Sequence, residues 1–150
     1  MTQISNDHQL REALKVLTPV AQRLMGARFA ASVMHLCLDE RVRRAGQLAL
    51  NASANPLELE DACKAAKAYA VKTYTDCGKD TDWLKQADHF VAAAVAAALT
   101  PSDQFPAKTN AAWKAAVQAR MAKNCELMEV DEGEDETESD RQYRIASQYL

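Results

Sequence analysis

Aromatic residues make up only 6% of this 150-residue chain, and isoleucine and phenylalanine are scarce, although 48% of the residues are hydrophobic. Strands favour β-branched and aromatic side chains, so this shortage argues against a β-sheet protein. Alanine dominates the apolar content, and it is the best helix former because it loses no side-chain entropy on folding. The composition predicts an all-α fold, a single compact domain of about six or seven closely packed alanine-rich helices.

The chain also lacks the short motifs that carry much enzyme chemistry. It has four glycines and contains no GxGxxG, GxxxxGK[ST], HExxH or GxSxG, so it has no recognisable phosphate-cradling loop. Its four cysteines form no CxxC pair and show no zinc-finger spacing. We therefore expect reduced thiols, no metal and no cofactor. The cysteines are Cys37, Cys63, Cys77 and Cys125.

Long hydrophobic runs are missing as well. The longest apolar stretch, Phe90 to Leu99, has about half of the length needed to cross a bilayer. The first residues have neither the basic start nor the apolar core of a secretory signal. These features predict a protein without membrane contact, located in the cytoplasm.

Charge is distributed unevenly along the chain. Residues 1–125 carry 16 Lys and Arg against 12 Asp and Glu, whereas residues 126–140 carry nine acids and no base. A segment with so little apolar content and so much like charge is typical of a mobile region. The pattern predicts a helical body at residues 1–128, a flexible acidic segment at 129–139, and a short C-terminal helix at 140–150 that packs on the body.

Capping signals set most of the predicted helix boundaries. The first helix is capped by Ser5, Asn6 or Asp7, and a second begins at Pro19. A third helix follows Asn55 and Pro56. A fourth helix starts near residue 81 or 82 and runs to Leu99, and the alanines of this fourth helix predict that it is central and buried. A fifth helix starts near Pro106 or Thr109 and runs toward Met128. Ser139 or Asp140 caps the last helix, which is predicted to dock on the body through Tyr143, Ala146 and Tyr149.

The helix after Pro19 is predicted to be amphipathic. Its apolar stripe has spacings of three and four residues, and its polar side carries Gln22, Arg23 and His35. Helical character is expected to continue through Asp39 and Glu40, with or without a break. The predicted stripe consists of Val20, Leu24, Ala27, Ala31, Met34 and Leu38.

Two groups of residues resemble catalytic clusters. His35, Cys37, Asp39 and Glu40 are close in sequence, but Cys37 points away from the face shared by residues 35 and 39. A buried cysteine beside a surface histidine is therefore the favoured interpretation. Asp88 and His89 are adjacent, and adjacent helical residues point about 100° apart, which disfavours a direct pair. An interhelical pocket around His35, His89, Trp83 and Trp113 remains an alternative.

A basic cluster, Arg41, Arg43 and Arg44, could bind phosphate together with Lys64, Lys67 and Lys72. A solvated helix face is the favoured interpretation, and direct nucleic-acid binding is not expected, because the body is only mildly basic and has no interleaved aromatic residues. The cluster could instead receive the acidic segment as an internal latch.

The acidic segment has two interpretations. It is either a solvated loop that serves solubility or a surface that attracts a basic protein, because complementary charge raises association rates. The candidate partner-binding residues are Glu129, Asp131, Glu132, Glu134, Asp135, Glu136, Glu138 and Asp140.

Several segments between residues 35 and 150 form a recognisable order. They are Cys37, ERV at 40–42, ACKAAKAYA at 62–70, the alanine-rich stretch at 92–98, NAAWKAA at 110–116, DRQY at 140–143 and the end at Leu150. Together these segments resemble the immunity-five-like proteins, alanine-rich helical proteins of bacterial toxin–immunity systems that also occur in phage-like gene sets.

The resemblance implies a protein that binds and masks a toxin and does not catalyse a reaction. The acidic segment would then contact the toxin, since toxins that attack nucleic acid are usually basic. We therefore expect a non-enzymatic immunity or inhibitor protein with a basic partner, a toxin or a nuclease. Two alternatives stay open: a small helical enzyme or ligand binder with an interhelical pocket, and a self-associating, phage-type helical scaffold that forms homo-oligomers.

Overall fold

A computed structural model describes residues 3–76, 82–129 and 136–150, except for the side chains of residues 75 and 76. Within these ranges the chain is all-helical and has no strand, so the predicted fold class is confirmed. Two short 3₁₀ turns, Met34–Leu36 and Ser102–Gln104, interrupt the α-helices. The α-helices of the described ranges are α1 (Asp7–Lys15), α2 (Pro19–Ala31), α3 (Glu40–Ala49), α4 (Pro56–Asp76), α5 (Trp83–Leu99), α6 (Ala111–Glu129) and α7 (Glu138–Tyr149).

Helix α5 lies at the centre of the molecule, as its alanines predict. It packs along α6 and α4 and also contacts α2, and most of its residues from Ala87 onward are buried. Alanines of α5 and α6 supply much of the main core, together with buried residues of α2, α3 and α4. Small side chains at these contacts allow the helix axes to approach closely.

A second cluster fixes the two ends of the chain to this core. It combines residues of α1, α2, α6 and α7, and its largest members are the fully buried Leu10, Leu14, Met25 and Phe29. Ile4, which precedes α1, belongs to the same cluster. Leu10, Leu14, Met25 and Phe29 are also the largest fully buried side chains among the described residues.

The predicted apolar stripe of α2 is wrong. Val20 and Leu38 are exposed, whereas Gln22, assigned to the polar side, is buried. Helix α2 contacts α3, α5, α6 and α7, so it buries a broad face instead of one narrow stripe. Its buried residues are Gln22, Met25, Gly26, Ala27, Phe29 and Ala30.

Two predicted helix starts also need correction. Helix α6 begins at Ala111, later than predicted, because the Asn110 side chain accepts a hydrogen bond from the Trp113 amide at 2.8 Å and caps the helix. Helix α7 begins at Glu138, earlier than predicted, because Thr137 accepts a hydrogen bond from the Asp140 amide at 3.1 Å.

The buried face of α7 also differs from the prediction. Ala146 is buried as expected, but Tyr149 is half exposed, and its ring lies 3.7 Å from the guanidinium carbon of Arg28. Glu138 and Gln142 are the other buried residues of this helix. Helix α7 therefore docks through polar side chains as much as through apolar ones.

Candidate functional site

The acidic segment connects the end of α6 to the start of α7. Of its candidate residues, Glu129 is the last residue of α6 and Asp140 lies in the first turn of α7, and both are exposed. Glu138 is the first residue of α7, and Glu136 precedes this helix. The remaining candidates lie outside the described residues: Asp131, Glu132, Glu134 and Asp135. Cys77 lies outside them as well.

Glu136 and Glu138 pair with residues of this chain. Glu136 accepts hydrogen bonds from Arg144 at 3.0 Å and from Arg141 at 3.3 Å. Arg144 first, and Arg141 second, lower the pKa of Glu136 to about 2. Glu138 is buried, accepts a hydrogen bond from the Ser32 hydroxyl, and lies 3.4 Å from Arg141. These two carboxylates hold the start of α7 in place.

Arg120, a residue of α6, links this helix to both α7 and α1. Its Nε donates to the side chain of the buried Gln142 at 2.8 Å, and its two terminal nitrogens donate to Asp7 at 3.0 and 2.7 Å. Gln142 donates to the Ala116 carbonyl at 2.9 Å, and the Tyr143 hydroxyl donates to Asp7 at 2.7 Å. The hydrogen bond to Arg120 is the largest influence on Asp7, and it lowers the pKa of this carboxyl group.

The three arginines of the predicted basic cluster contact residues that are close to them in the sequence. Arg41 lies 3.6 Å from Asp39, and Arg44 lies 4.0 Å from Glu40. Arg43 donates to the Cys37 carbonyl at 3.2 Å. The described part of the acidic segment pairs with arginines of α7 instead, so the internal latch onto the basic cluster is not seen among the described residues.

His35 and Cys37 have separate surroundings, and Cys37 interacts with Asp88 and Asp39. His35 is exposed and contacts Glu126 at 2.8 Å, and Glu126 also contacts the buried Lys123 at 2.6 Å. Burial is the largest influence on Glu126, but Lys123 and His35 outweigh it and lower the pKa of this carboxyl group. Burial raises the pKa of Cys37 to about 12, so its thiol stays protonated near neutral pH. Cys37 is therefore a buried thiol beside a surface histidine.

Asp88 and His89 point to different partners, as expected for adjacent helical residues. Asp88 accepts a hydrogen bond from the Tyr69 hydroxyl. His89 is buried, with Nδ1 3.0 Å from the Thr73 hydroxyl, and burial lowers the pKa of its ring. Trp113 instead packs near Arg11 and Arg120. The two histidines and Trp113 thus contact different residues and do not form one site.

A cleft of about 560 Å³ lies elsewhere, between one face of α4, the start of α2 and the end of α5. Leu59, Cys63 and Leu99 form part of its apolar wall, and Lys64 and Lys67 stand on the same face of α4. Residues from four helices meet here, so sequence reasoning missed this cleft. The available signal was the alternation of apolar residues and lysines at helical spacing on α4.

Comparisons with models of protein families, with curated proteins and with solved structures find no match. Among the described helices, none is long and apolar enough to cross a membrane. In the same part of the chain, no group of three or more His, Cys, Asp or Glu residues is placed to hold a metal ion.

Proposed function

We propose that this chain is a non-enzymatic binding protein, of the immunity or inhibitor type, that masks a basic protein partner such as a toxin or a nuclease. The observation that carries the proposal is the segregation of charge, since residues 126–140 contain nine acids and no base. Such a segment creates a field that steers a cationic partner and raises its rate of association.

Three acids of residues 126–140 have partners among the described residues. Glu126, Glu136 and Glu138 pair with side chains of this chain and fix both ends of the segment to the body. We assign the partner surface to the remaining acids of residues 126–140 as part of the proposal. These are Glu129, Asp131, Glu132, Glu134, Asp135 and Asp140.

The anchoring of α7 supports this division. Gln142 and Arg120 join α7 to α6, and Asp7 extends the network to α1. Both ends of a short acidic connection are thereby held on an ordered body. Less conformational entropy is lost when a partner binds a segment whose ends are already fixed.

The test replaces the four central acids in one variant, D131S/E132S/E134S/D135S, and four exposed acids of the body in a control, E12S/E58S/D61S/D103S. Both variants change the net charge equally. Wild-type protein first captures partners from a lysate of the native host, and association with each captured protein is then measured across ionic strength. We expect a basic partner, with association roughly tenfold slower and less salt-sensitive for the segment variant.

The control variant should associate within about twofold of the wild-type rate at low salt, since its lost charges lie on other surfaces. Equal slowing by both variants would show that only net charge matters and would contradict the assignment of the segment. Capture of no basic protein would contradict the proposal as a whole.

A further inference from the structure

The cleft beside α4 is the strongest feature that the proposed function leaves unused. The residues of α4 that line it fall at spacings of three and four, so they form one continuous face of the helix. Its volume of about 560 Å³ lies within the usual range for small-molecule sites. The α4 residues that line it are Pro56, Leu59, Glu60, Cys63, Lys64 and Lys67.

The inner wall of the cleft is apolar. It is formed by Leu59, Cys63, Ala98, Leu99 and the ring of Pro101. The polar side chains of the wall are already bonded: Gln22, for instance, accepts a hydrogen bond from the Ala112 amide at 3.0 Å and donates to the Leu14 carbonyl. Within the described chain no buried side-chain nitrogen or oxygen lacks a partner. An occupant must therefore present an apolar body to this wall.

The rim of the cleft is cationic. Lys64 and Lys67 are exposed on α4, and Arg23 stands opposite them on α2, against a single acid, Glu60. Arg23 donates to the Asn51 carbonyl at 2.7 Å and to the Ala49 carbonyl at 3.2 Å, so it is fixed in position. Lys64 lies 3.1 Å from Glu60, and both side chains are exposed, a geometry in which an ion pair is weak and easily exchanged.

We propose that this cleft binds a small amphipathic carboxylate, with its apolar body against Leu59, Cys63 and Leu99 and its charged head between Lys64 and Lys67. The assignment combines two independent requirements of the lining, an apolar surface without open polar groups and a rim with excess positive charge. A neutral apolar molecule would satisfy only the first requirement, and a small anion such as acetate would satisfy only the second.

The test titrates octanoate into ¹⁵N-labelled full-length protein and follows amide shifts by NMR, with octanol and acetate as comparison ligands. We expect saturable shifts with octanoate that map to residues 59–67 and 98–104. The variant K64Q/K67Q should weaken octanoate binding about three- to tenfold, as expected for the loss of two exposed ion-pair partners, and should leave octanol binding within about twofold. The matched control K85Q/K114Q removes two exposed lysines that do not line the cleft, and it should bind octanoate like the wild type.

Octanoate that binds no more tightly than octanol, or shifts that map to another surface, would overturn the proposal. Equal weakening in K64Q/K67Q and K85Q/K114Q would overturn it too, because the effect would then come from net charge. Both lysine variants keep every acid of residues 126–140, so this test is independent of the partner-binding proposal.

Discussion

Gly26 of α2 and Gly46 of α3 have different surroundings, although both are buried helical glycines. A Cβ added at Gly26 would lie 3.0 Å from the Cβ of Ala98 and 3.3 Å from its Cα. A Cβ added at Gly46 would meet the terminal methyl of Met34, at 2.6 Å. The first obstacle belongs to a packed helix backbone, whereas the second is the mobile end of a flexible side chain.

We expect Gly26→Ala to lower the free energy of unfolding by about 1–2 kcal/mol, because α2 and α5 must separate slightly. Gly46→Ala should leave stability unchanged or raise it by up to about 1 kcal/mol, because alanine favours helix and Met34 can move aside. Urea denaturation of both variants measures the difference. A Gly26→Ala protein as stable as the Gly46→Ala protein would contradict a tight α2–α5 contact.

The sequence predicts best those residues whose role depends on their neighbours in the sequence, such as helix caps. Asn55 caps α4 by accepting a hydrogen bond from the Leu57 amide at 2.8 Å, and Asn6 and Asp82 cap α1 and α5 within the predicted choices. Burial of Gln22 and Gln142 could not be predicted, because their hydrogen-bond partners lie on other helices. A buried glutamine looks like a surface glutamine until its partner is known.

At the scale of elements, the break between α2 and α3 depends on one cap. Asp39 has an extended backbone, and its Oδ1 accepts hydrogen bonds from the amides of Arg41 at 3.0 Å and Val42 at 3.1 Å. Helix α3 therefore starts in a fixed direction after the 3₁₀ turn. This orientation places Val42 and Ala45 in the main core.

We expect Asp39→Ala to lower the free energy of unfolding by about 1 kcal/mol, because two amides at the start of α3 lose their acceptor. Asp39→Asn keeps an acceptor at the same position and should cost less than half of that. Thermal and urea denaturation of the two variants provide the measurement. Equal losses would show that the charge of Asp39 contributes, and its hydrogen bonds do not.

The success of sequence reasoning varies from one element to another for a physical reason. The α5 prediction is confirmed because a helix without a polar face has to be buried whatever surrounds it. The α2 stripe is wrong because α2 has neighbours on several sides, and the positions of these neighbours are a tertiary property. Periodicity identifies a buried face only where one face is buried.

At the scale of the whole molecule, the network of Asp7, Arg120 and Tyr143 holds α1, α6 and α7 together. The pKa of Asp7 is lowered below its ordinary value of 3.8, chiefly by the hydrogen bond to Arg120. The ionised form is therefore favoured in the folded protein. Its contribution to stability is complete above that ordinary value, and it is lost as the pH falls through the lower folded-state value.

We expect Asp7→Asn to lower the free energy of unfolding by about 1 kcal/mol at pH 7, a modest loss because the Asp7 side chain is half exposed. The difference from wild type should shrink as the pH falls below the ordinary Asp value, because wild-type Asp7 then becomes neutral as well. Urea denaturation across pH measures this, with Glu12→Gln on the same helix as the control. A difference that is independent of pH would contradict the ion pair.

The candidate sites differ in how much of them the sequence contains. Charge counting alone defines the acidic segment, because its residues are contiguous. Glu138 pairs with Ser32, which lies more than a hundred positions away in the sequence. Glu136 pairs with Arg141 and Arg144, so its contacts depend on how α7 is placed. The cleft is assembled from four helices, so the pattern of apolar residues and lysines on α4 indicates one wall and not the cleft itself.

The amide of Ile4 donates a hydrogen bond to the hydroxyl of Ser147 at 2.9 Å, so positions near the two ends of the chain are neighbours in space. A short linker could therefore join residue 150 to residue 3 without disturbing either helix cluster. New ends could then be opened in the exposed connection between α5 and α6, near Asp103. Such a circular permutant would keep both the acidic connection and the α6–α7 contacts inside one continuous stretch of chain.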